Sequence, residues 1–161
     1  MFDKFGEMGS SAEINELAAN LKTEGDLDSI RQLATENGID KEVADAYIDG
    51  YIPALCDELS AALGKLNIEA KESKVDELTG DWCEYIKQRC LEDLQMSAAV
   101  RSKGKTLKGC IAHLLKWSFG HQKPVDKEII KAAGVSAGRI TFGIPGMVTA
   151  KKLISEYYLG K

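Results

Sequence analysis

Four side chains of metal-binding types occur at helical spacings in the second half of the chain. Cys83 and Cys90 are seven positions apart, and Cys110 and His113 are three apart, so each pair shares one face of a predicted helix. Together they supply the ligand types of a zinc site with three cysteines and one histidine. Structural zinc usually requires close pairs such as C-x2-C on turns, and the sequence contains none. Because Cys90 and Cys110 fall on apolar stripes, the sequence favours packing in a core and predicts no metal site.

Nucleophilic catalysis and phosphate binding have no supporting motif either. A reactive thiol needs a neighbouring imidazole and a third, orienting group, and His113 and His121 occur in no such pattern. Gly138 and Gly143 have the spacing of the first half of a phosphate-binding loop. Isoleucine and proline follow Gly143, however, where that motif requires lysine and a hydroxyl residue. The sequence therefore predicts a protein that is not an enzyme and that holds no cofactor.

Basic side chains gather at a predicted turn between two helices and continue beyond it. They suit contacts to phosphate groups, which need positive charge but read no sequence. A helix-turn-helix arrangement would make the helix after Thr106 the recognition element, but that helix offers Leu, Ile, Trp and Phe rather than base-reading Arg, Asn or Gln. A solvated basic face without a partner is the alternative. The candidate contacts to nucleic acid or to a partner protein are Arg101, Lys103, Lys105, Lys108, Lys123 and Lys127.

The charge of the chain is divided unevenly between its halves. Residues 1–80 carry 7 basic and 18 acidic side chains (net −11), whereas residues 81–161 carry 14 and 7 (net +7), within an overall −4. This asymmetry predicts surfaces with different partners, although solvated helix faces of opposite sign are the simpler alternative. An acidic surface can compete for a basic, nucleic-acid-binding groove of another protein. The candidate acidic contacts are Glu13, Glu16, Asp26, Asp28, Asp45 and Asp49.

Helices are the elements that must position these residues in the first half. Ser10 and Glu13 have capping-box spacing ahead of an apolar stripe of helical period. Asp26 and Asp40 are predicted to begin two more short helices. Pro53 suits the first turn of a fourth helix, which the pattern ends near residue 64. None of the first three is long enough to be stable alone, so they must pack on one another or on the rest of the chain.

The second half reads as further helices with one interruption. Thr106 is predicted to cap a helix, and Pro124 to precede a short one. Glycines and alternating apolar residues at 134–146 favour a short strand or extended loop. The polar stretch 65–73 suggests an acidic helical subdomain over 1–72 and a basic helical domain over 73–161. We therefore predict an all-α fold, either one compact multi-helix domain or two small helical subdomains, with at most a short β insertion near 135–145.

The composition is that of a folded protein in a reducing compartment. Of 161 residues, 44% are hydrophobic and 29% are charged, which excludes a disordered chain. No apolar run approaches the roughly 18 residues that a membrane span needs, and residues 1–9 lack the apolar core of a secretory signal. Four cysteines do not make a disulfide framework. We therefore expect a cytoplasmic protein with reduced thiols and no membrane partner.

The second half also resembles a known family in its short motifs. These are the turn Lys103-Gly104-Lys105-Thr106-Leu107, Cys110-Ile111 in the helix after it, residues 125–129 (VDKEI) and the closing residues 157–159 (YYL). With these motifs, residues 82–160 resemble the PcfK-like proteins of conjugative and phage elements in Gram-positive gut bacteria. That family includes a type of Cas9 inhibitor, an anti-CRISPR protein.

The resemblance implies a non-enzymatic protein, in the cytoplasm of a host bacterium, that binds Cas9 or the Cas9–guide RNA complex and blocks DNA binding or cleavage. An inhibitor of this kind can occupy the charged channel of the nuclease, cover its PAM-reading surface or prevent its domains from docking. Acidic residues of the first half would then stand in for phosphates, while basic residues near 101–108 would contact guide RNA or DNA. The alternative is a DNA-binding accessory protein of a mobile element that uses the basic half.

Overall fold

The computed structural model describes residues 2–136 and 138–160, and these residues form an all-α fold with one two-stranded β pair, as predicted. Ser10, Asp26 and Thr106 accept hydrogen bonds from backbone N–H groups three residues later, so each caps the helix that follows it. The elements in chain order are α1 (Ser11–Glu24), α2 (Leu27–Glu36), α3 (Lys41–Ile48), α4 (Glu58–Ser73), α5 (Glu77–Glu92), α6 (Leu94–Arg101), α7 (Leu107–Gly120), β1 (Lys123–Pro124), α8 (Lys127–Ala132), β2 (Thr141–Phe142) and α9 (Met147–Leu159).

Helix α4 differs from its prediction at both ends. Asp57 is its N-cap and accepts a hydrogen bond from Ser60 N at 2.7 Å, whereas Pro53 lies in the preceding segment. The helix continues through Gly64 to Ser73 because two polar residues of the stretch 65–73 face inward rather than into solvent. At Gly64 the helix passes so close to the end of α2 that a Cβ would lie 2.2 Å from the carbonyl oxygen of Asn37, so glycine is required there. Polar composition was therefore a poor guide to the end of this helix.

Two hydrophobic cores organise the described residues, and α4 contributes to both. Ala61 packs in the first core with α1, α2 and α3, while Ala62 and Leu66 pack in the second with α5, α6, α7 and α9. The predicted boundary between residues 72 and 73 falls at the last turn of this shared helix. The first core consists of Ile14, Ala18, Leu21, Ile30, Leu33, Ala34, Ile39, Ala44, Tyr47, Leu55, Cys56 and Ala61.

The described residues between α7 and α9 form an arm, which we define as residues 121–136 and 138–146. Lys123 pairs with Phe142 and Pro124 with Thr141 in an antiparallel register, and Val125 N donates to the Ile140 carbonyl at 2.9 Å. The described part of the predicted insertion thus contains β2, whereas β1 occupies residues expected in a loop and just before a short helix. Residue 137 lies outside the described residues. Helix α8 has no buried residue, so the arm adds little to either core.

Within the ranges given above, none of the helices combines the length and the apolar character that crossing a bilayer requires.

Candidate partner-binding surfaces

Asp28 and Asp45 are brought together by one arginine. Arg31 on α2 donates from Nε to Asp45 Oδ1 at 2.8 Å and from Nη1 to Asp28 Oδ1 at 3.1 Å. Asp28 precedes the arginine by three residues, and Asp45 lies on α3, so the guanidinium ties the two helices together on their outer side. The side chain of Asp28 is 98% exposed. Its second oxygen therefore stays available to a partner, whereas Asp45 is partly covered.

The other acidic candidates have different surroundings. Asp26 is committed to capping α2, where its carboxylate accepts bonds from Ser29 N at 3.0 Å and Ser29 Oγ at 2.6 Å. These hydrogen bonds lower the pKa of Asp26, because they favour the ionised carboxylate. Glu16 lies on the exposed side of α1, and Asp49 follows α3 and is exposed. Glu16, Asp28 and Asp49 are thus the candidates best placed to meet another molecule.

Glu13 and Lys103 come from opposite predicted sets, yet they contact each other. The Lys103 ammonium lies 3.3 Å from Glu13 Oε2, which also accepts a hydrogen bond from Gly9 N at 2.9 Å. The bond from Gly9 and the lysine lower the pKa of Glu13. Glu13 therefore does not complete a capping box with Ser10. The acidic and basic surfaces meet at this point.

Arg101 corrects the sequence-based prediction, because it lies inside the protein with no exposed area. Its Nη2 donates to Asn37 Oδ1, and its guanidinium lies 5.6 Å from the ring centroid of Phe2. Burial lowers the pKa of Arg101, since desolvation disfavours the charged form. Its place in a run of basic residues suggested a surface position. It is instead a buried group joining two parts of the molecule and is not positioned to touch nucleic acid.

Lys105 is also engaged within the chain. Its Nζ donates to the Tyr157 carbonyl at 2.5 Å and lies 4.8 Å from the centroid of the Tyr157 ring. Tyr157 is in the last turn of α9, where a cation complements the negative end of the helix dipole. Thr106 N also donates to the hydroxyl of Tyr157, at 3.1 Å. Lys105 therefore connects the turn before α7 to the end of α9.

The remaining basic candidates are exposed, although they do not form one patch with the buried arginine. Lys108 is in the first turn of α7, Lys123 is in β1, and Lys127 opens α8. Sequence reasoning left two exposed cations of the arm, Lys131 and Arg139, out of the candidate set. Both lie in a stretch of weak apolar periodicity, and this pattern indicates that their side chains are exposed. The exposed basic surface is thus centred on the arm rather than on residues 101–108.

Lys65, which sequence reasoning missed, is buried and forms an ion pair with the partly exposed Glu7 of the N-terminal segment. Its side chain is 0% exposed, and its Nζ donates to Glu7 Oε1 at 2.7 Å and to the Ser102 carbonyl at 3.2 Å. The second Glu7 oxygen accepts from Gly104 N at 3.3 Å. Burial acts to raise the pKa of Glu7, but the hydrogen bond and charge of Lys65 prevail and lower it.

A buried carboxyl, that of Glu69, lies one helical turn beyond Lys65 on α4. Glu69 Oε2 accepts from Leu107 N, at the start of α7, at 2.7 Å. Its Oε1 is buried without a hydrogen-bond partner, and burial raises the pKa of this group. Lys65 and Glu69 follow Ala61 at steps of four residues, and this spacing indicates that both lie on the inner face of α4.

All four cysteines lie in the cores, as the apolar stripes predict for Cys90 and Cys110. Cys83, Cys90 and Cys110 belong to the second core and Cys56 to the first, and all four are reduced. Burial raises the pKa of Cys90 to about 11 and that of Cys110 to about 12, so neither thiol is activated. His113 Nε2 lies 3.7 Å from Glu156 Oε2. Over the described ranges, no group of three or more potential ligands is positioned to hold a metal ion.

Comparison of the chain with protein-family models, with curated proteins and with solved structures gives no match.

Proposed function

We propose that this protein is a non-catalytic inhibitor that binds Cas9 and blocks DNA binding or cleavage. Two features support the proposal: the resemblance of residues 82–160 to PcfK-like proteins, and the exposed carboxylates of the first half. We define the acidic surface as Glu16, Asp28 and Asp49, each exposed on the unit formed by α1, α2 and α3. The acidic surface is the observation that carries the mode of action.

The acidic surface is held on a packed frame. Helices α1, α2 and α3 share the first core, and Ser10 and Asp26 cap the first two of them. None of the three carboxylates is buried, and Asp28, although paired with Arg31 through one oxygen, keeps its second oxygen open to a cationic channel. A nuclease channel built to bind a nucleic-acid backbone presents Lys and Arg side chains. Carboxylates fixed in advance can pair with these side chains without the cost of ordering a flexible segment.

The test is a DNA-cleavage assay with guide-loaded Cas9 enzymes of several subtypes and increasing amounts of this protein. We expect inhibition of at least one subtype at near-stoichiometric amounts. The triple variant Glu16→Gln, Asp28→Asn, Asp49→Asn should weaken inhibition about tenfold or more, since rim charges mainly affect association and its salt dependence. A band-shift assay with catalytically inactive Cas9 separates loss of DNA binding from loss of cleavage.

The matched control neutralises three exposed carboxylates elsewhere, with Glu84→Gln, Glu92→Gln and Glu128→Gln. It changes the net charge by the same amount and should leave inhibition within about twofold of wild type. Full cleavage by every subtype at large excess of the protein would exclude the proposed function. If both triple variants weakened inhibition equally, the protein would still be an inhibitor, but the acidic surface would not be the cause of inhibition.

The arm favours a second candidate function, a DNA-binding accessory protein of a mobile element. Lys123, Lys127, Lys131 and Arg139 are all exposed on it. Neutralising DNA phosphates with such cations releases counterions, so the logarithm of the affinity should fall with the logarithm of salt concentration by roughly 0.9 per phosphate contacted. Fluorescence anisotropy with labelled duplex DNA over a salt series measures this slope. No binding at low salt would remove this candidate.

A further inference from the structure

Helix α7 is apolar on two sides, and only one of them faces the core. Leu107, Cys110 and Leu114 are buried in the second core. Ile111, Leu115 and Phe119 form a second stripe at four-residue spacing, of which Leu115 is 53% and Phe119 76% exposed. A helix with apolar residues beyond its core face usually has a further partner.

The second stripe borders a cleft that separates α7 from the start of α5. The cleft has a volume of about 360 Å³, and it also reaches the last residues of the arm. We define the apolar groove as Leu78, Trp82, Ile111, Leu115, Phe119 and Ile144. From Ile111 to Phe119 the α7 side of the groove is about 12 Å long, which is just over two helical turns. The groove is therefore long enough to accept an edge of another helix.

The two edges of the groove carry opposite charges. On α7, Lys108 and Lys116 lie beyond the apolar stripe on the side away from the core, while on α5 Glu77 and Asp81 lie beyond Leu78. All four charged side chains are exposed. Within residues 2–136 and 138–160, none of these four has an ion-pair partner. One edge is thus basic and the other acidic.

From this arrangement we infer that the apolar groove is the interface of a homodimer, with a second copy of this chain as its occupant. A two-fold axis running along the groove places the α5 edge of one copy opposite the α7 edge of the other. Each Asp81 then faces the partner's Lys116, and the apolar stripes meet between the charged edges. A surface used twice must be complementary to itself, and opposite charges on its two edges satisfy that condition.

A charge-exchange experiment tests this pairing directly. Asp81→Lys and Lys116→Glu should each weaken self-association about tenfold, because each variant sets like charges against each other at both edges. An equimolar mixture of the two variants should associate about as well as wild type. In the mixed dimer, the introduced lysine faces the introduced glutamate, and the two native residues face each other. Analytical ultracentrifugation measures all three samples, with wild type examined up to roughly 100 µM.

Two apolar variants and a matched control complete the test. Leu115→Glu or Phe119→Ser should weaken the dimer at least a hundredfold, because each puts a polar group into the apolar centre. Leu94→Glu changes a side chain that is 71% exposed on α6, outside the groove, and should leave association unchanged. Circular dichroism verifies the fold of each variant. A monomeric wild type, a dimer that survives both groove variants, or a mixture that fails to associate would each overturn the inference.

Discussion

Arg101 donates a hydrogen bond of 2.5 Å to Asn37 Oδ1, although 64 positions separate the two residues in sequence. Asn37 closes α2 beside the first core, and Arg101 ends α6 in the second, so this bond joins the two cores through the interior. Both residues are fully buried. The arginine Nε and Nη1 have no hydrogen-bond partner, so the arrangement retains an incompletely compensated charge.

Removal of the amide should therefore cost more stability than removal of the charge. Asn37→Ala leaves the buried guanidinium without its acceptor and should lower the free energy of unfolding by about 2–4 kcal/mol. Arg101→Met removes the charge together with its unpaired donors and should cost less. The double variant should cost less than the sum of the two single changes. Urea denaturation measures all three, and an Asn37→Ala variant as stable as wild type would contradict the pairing.

Gly64 should be intolerant of any side chain. A Cβ at this position would lie 2.2 Å from the Asn37 carbonyl oxygen, a backbone atom that cannot move without shifting the end of α2. Gly64→Ala should therefore destabilise the protein by about 2–4 kcal/mol, despite the better helix propensity of alanine. Gly80→Ala is the matched control, because its Cβ would meet no atom within 4 Å. It should stabilise the protein by about 0.5–1 kcal/mol, and thermal denaturation distinguishes the two.

Glu69 should make stability depend on pH in a direction unusual for a carboxyl group. Burial raises its pKa above the ordinary 4.5, although the bond from Leu107 N and the charge of Lys65 oppose the shift. The native state thus keeps this proton to higher pH than the unfolded chain, so the contribution to stability falls as pH rises through that interval. Glu69→Gln keeps an acceptor for Leu107 N but cannot ionise. Its stability relative to wild type should rise from pH 4.5 upward, and parallel unfolding curves would refute this.

The thiols should react only as the protein unfolds. Burial raises the pKa of Cys56 to about 11, so at pH 8 its reactive thiolate form is scarce, as it is for Cys90. A colorimetric thiol reagent should therefore label the native protein slowly and at a rate that increases with urea. Val148→Cys, at a position 86% exposed, provides a fast-reacting reference. Labelling of a native cysteine at the rate of this reference would disprove the buried assignment.

Capping residues and apolar periodicity predicted most helices, because both patterns involve residues only a few positions apart. Ser10, Asp26 and Thr106 act as caps through bonds to the third residue after them, and such bonds are readable from spacing alone. The polar stretch 65–73 misled because Lys65 and Glu69 find partners at residues 7 and 107. Partners that distant in sequence leave no local pattern.

The sequence predicted the net charge of the candidate surfaces, but not which of their charged residues are exposed. Glu16 and Lys108 lie at the surface, as the sequence suggested. Arg101 looks the same in sequence, yet it is buried, where its guanidinium contacts the side-chain amide of Asn37 and lies near the ring of Phe2. Contacts of this kind depend on how α2, α6 and the N-terminal segment pack. They cannot be read from the order of charged residues.

The sharing of α4 between two cores has a mechanical consequence. Ala61 and Ala62 are neighbours on one rod, yet they are buried in different cores. If one core came apart, α4 would lose the packing that holds it in place, and the other core would lose its support as well. Heating should therefore melt the whole chain in one calorimetric transition, and amide protons along this helix should exchange with solvent only through global opening.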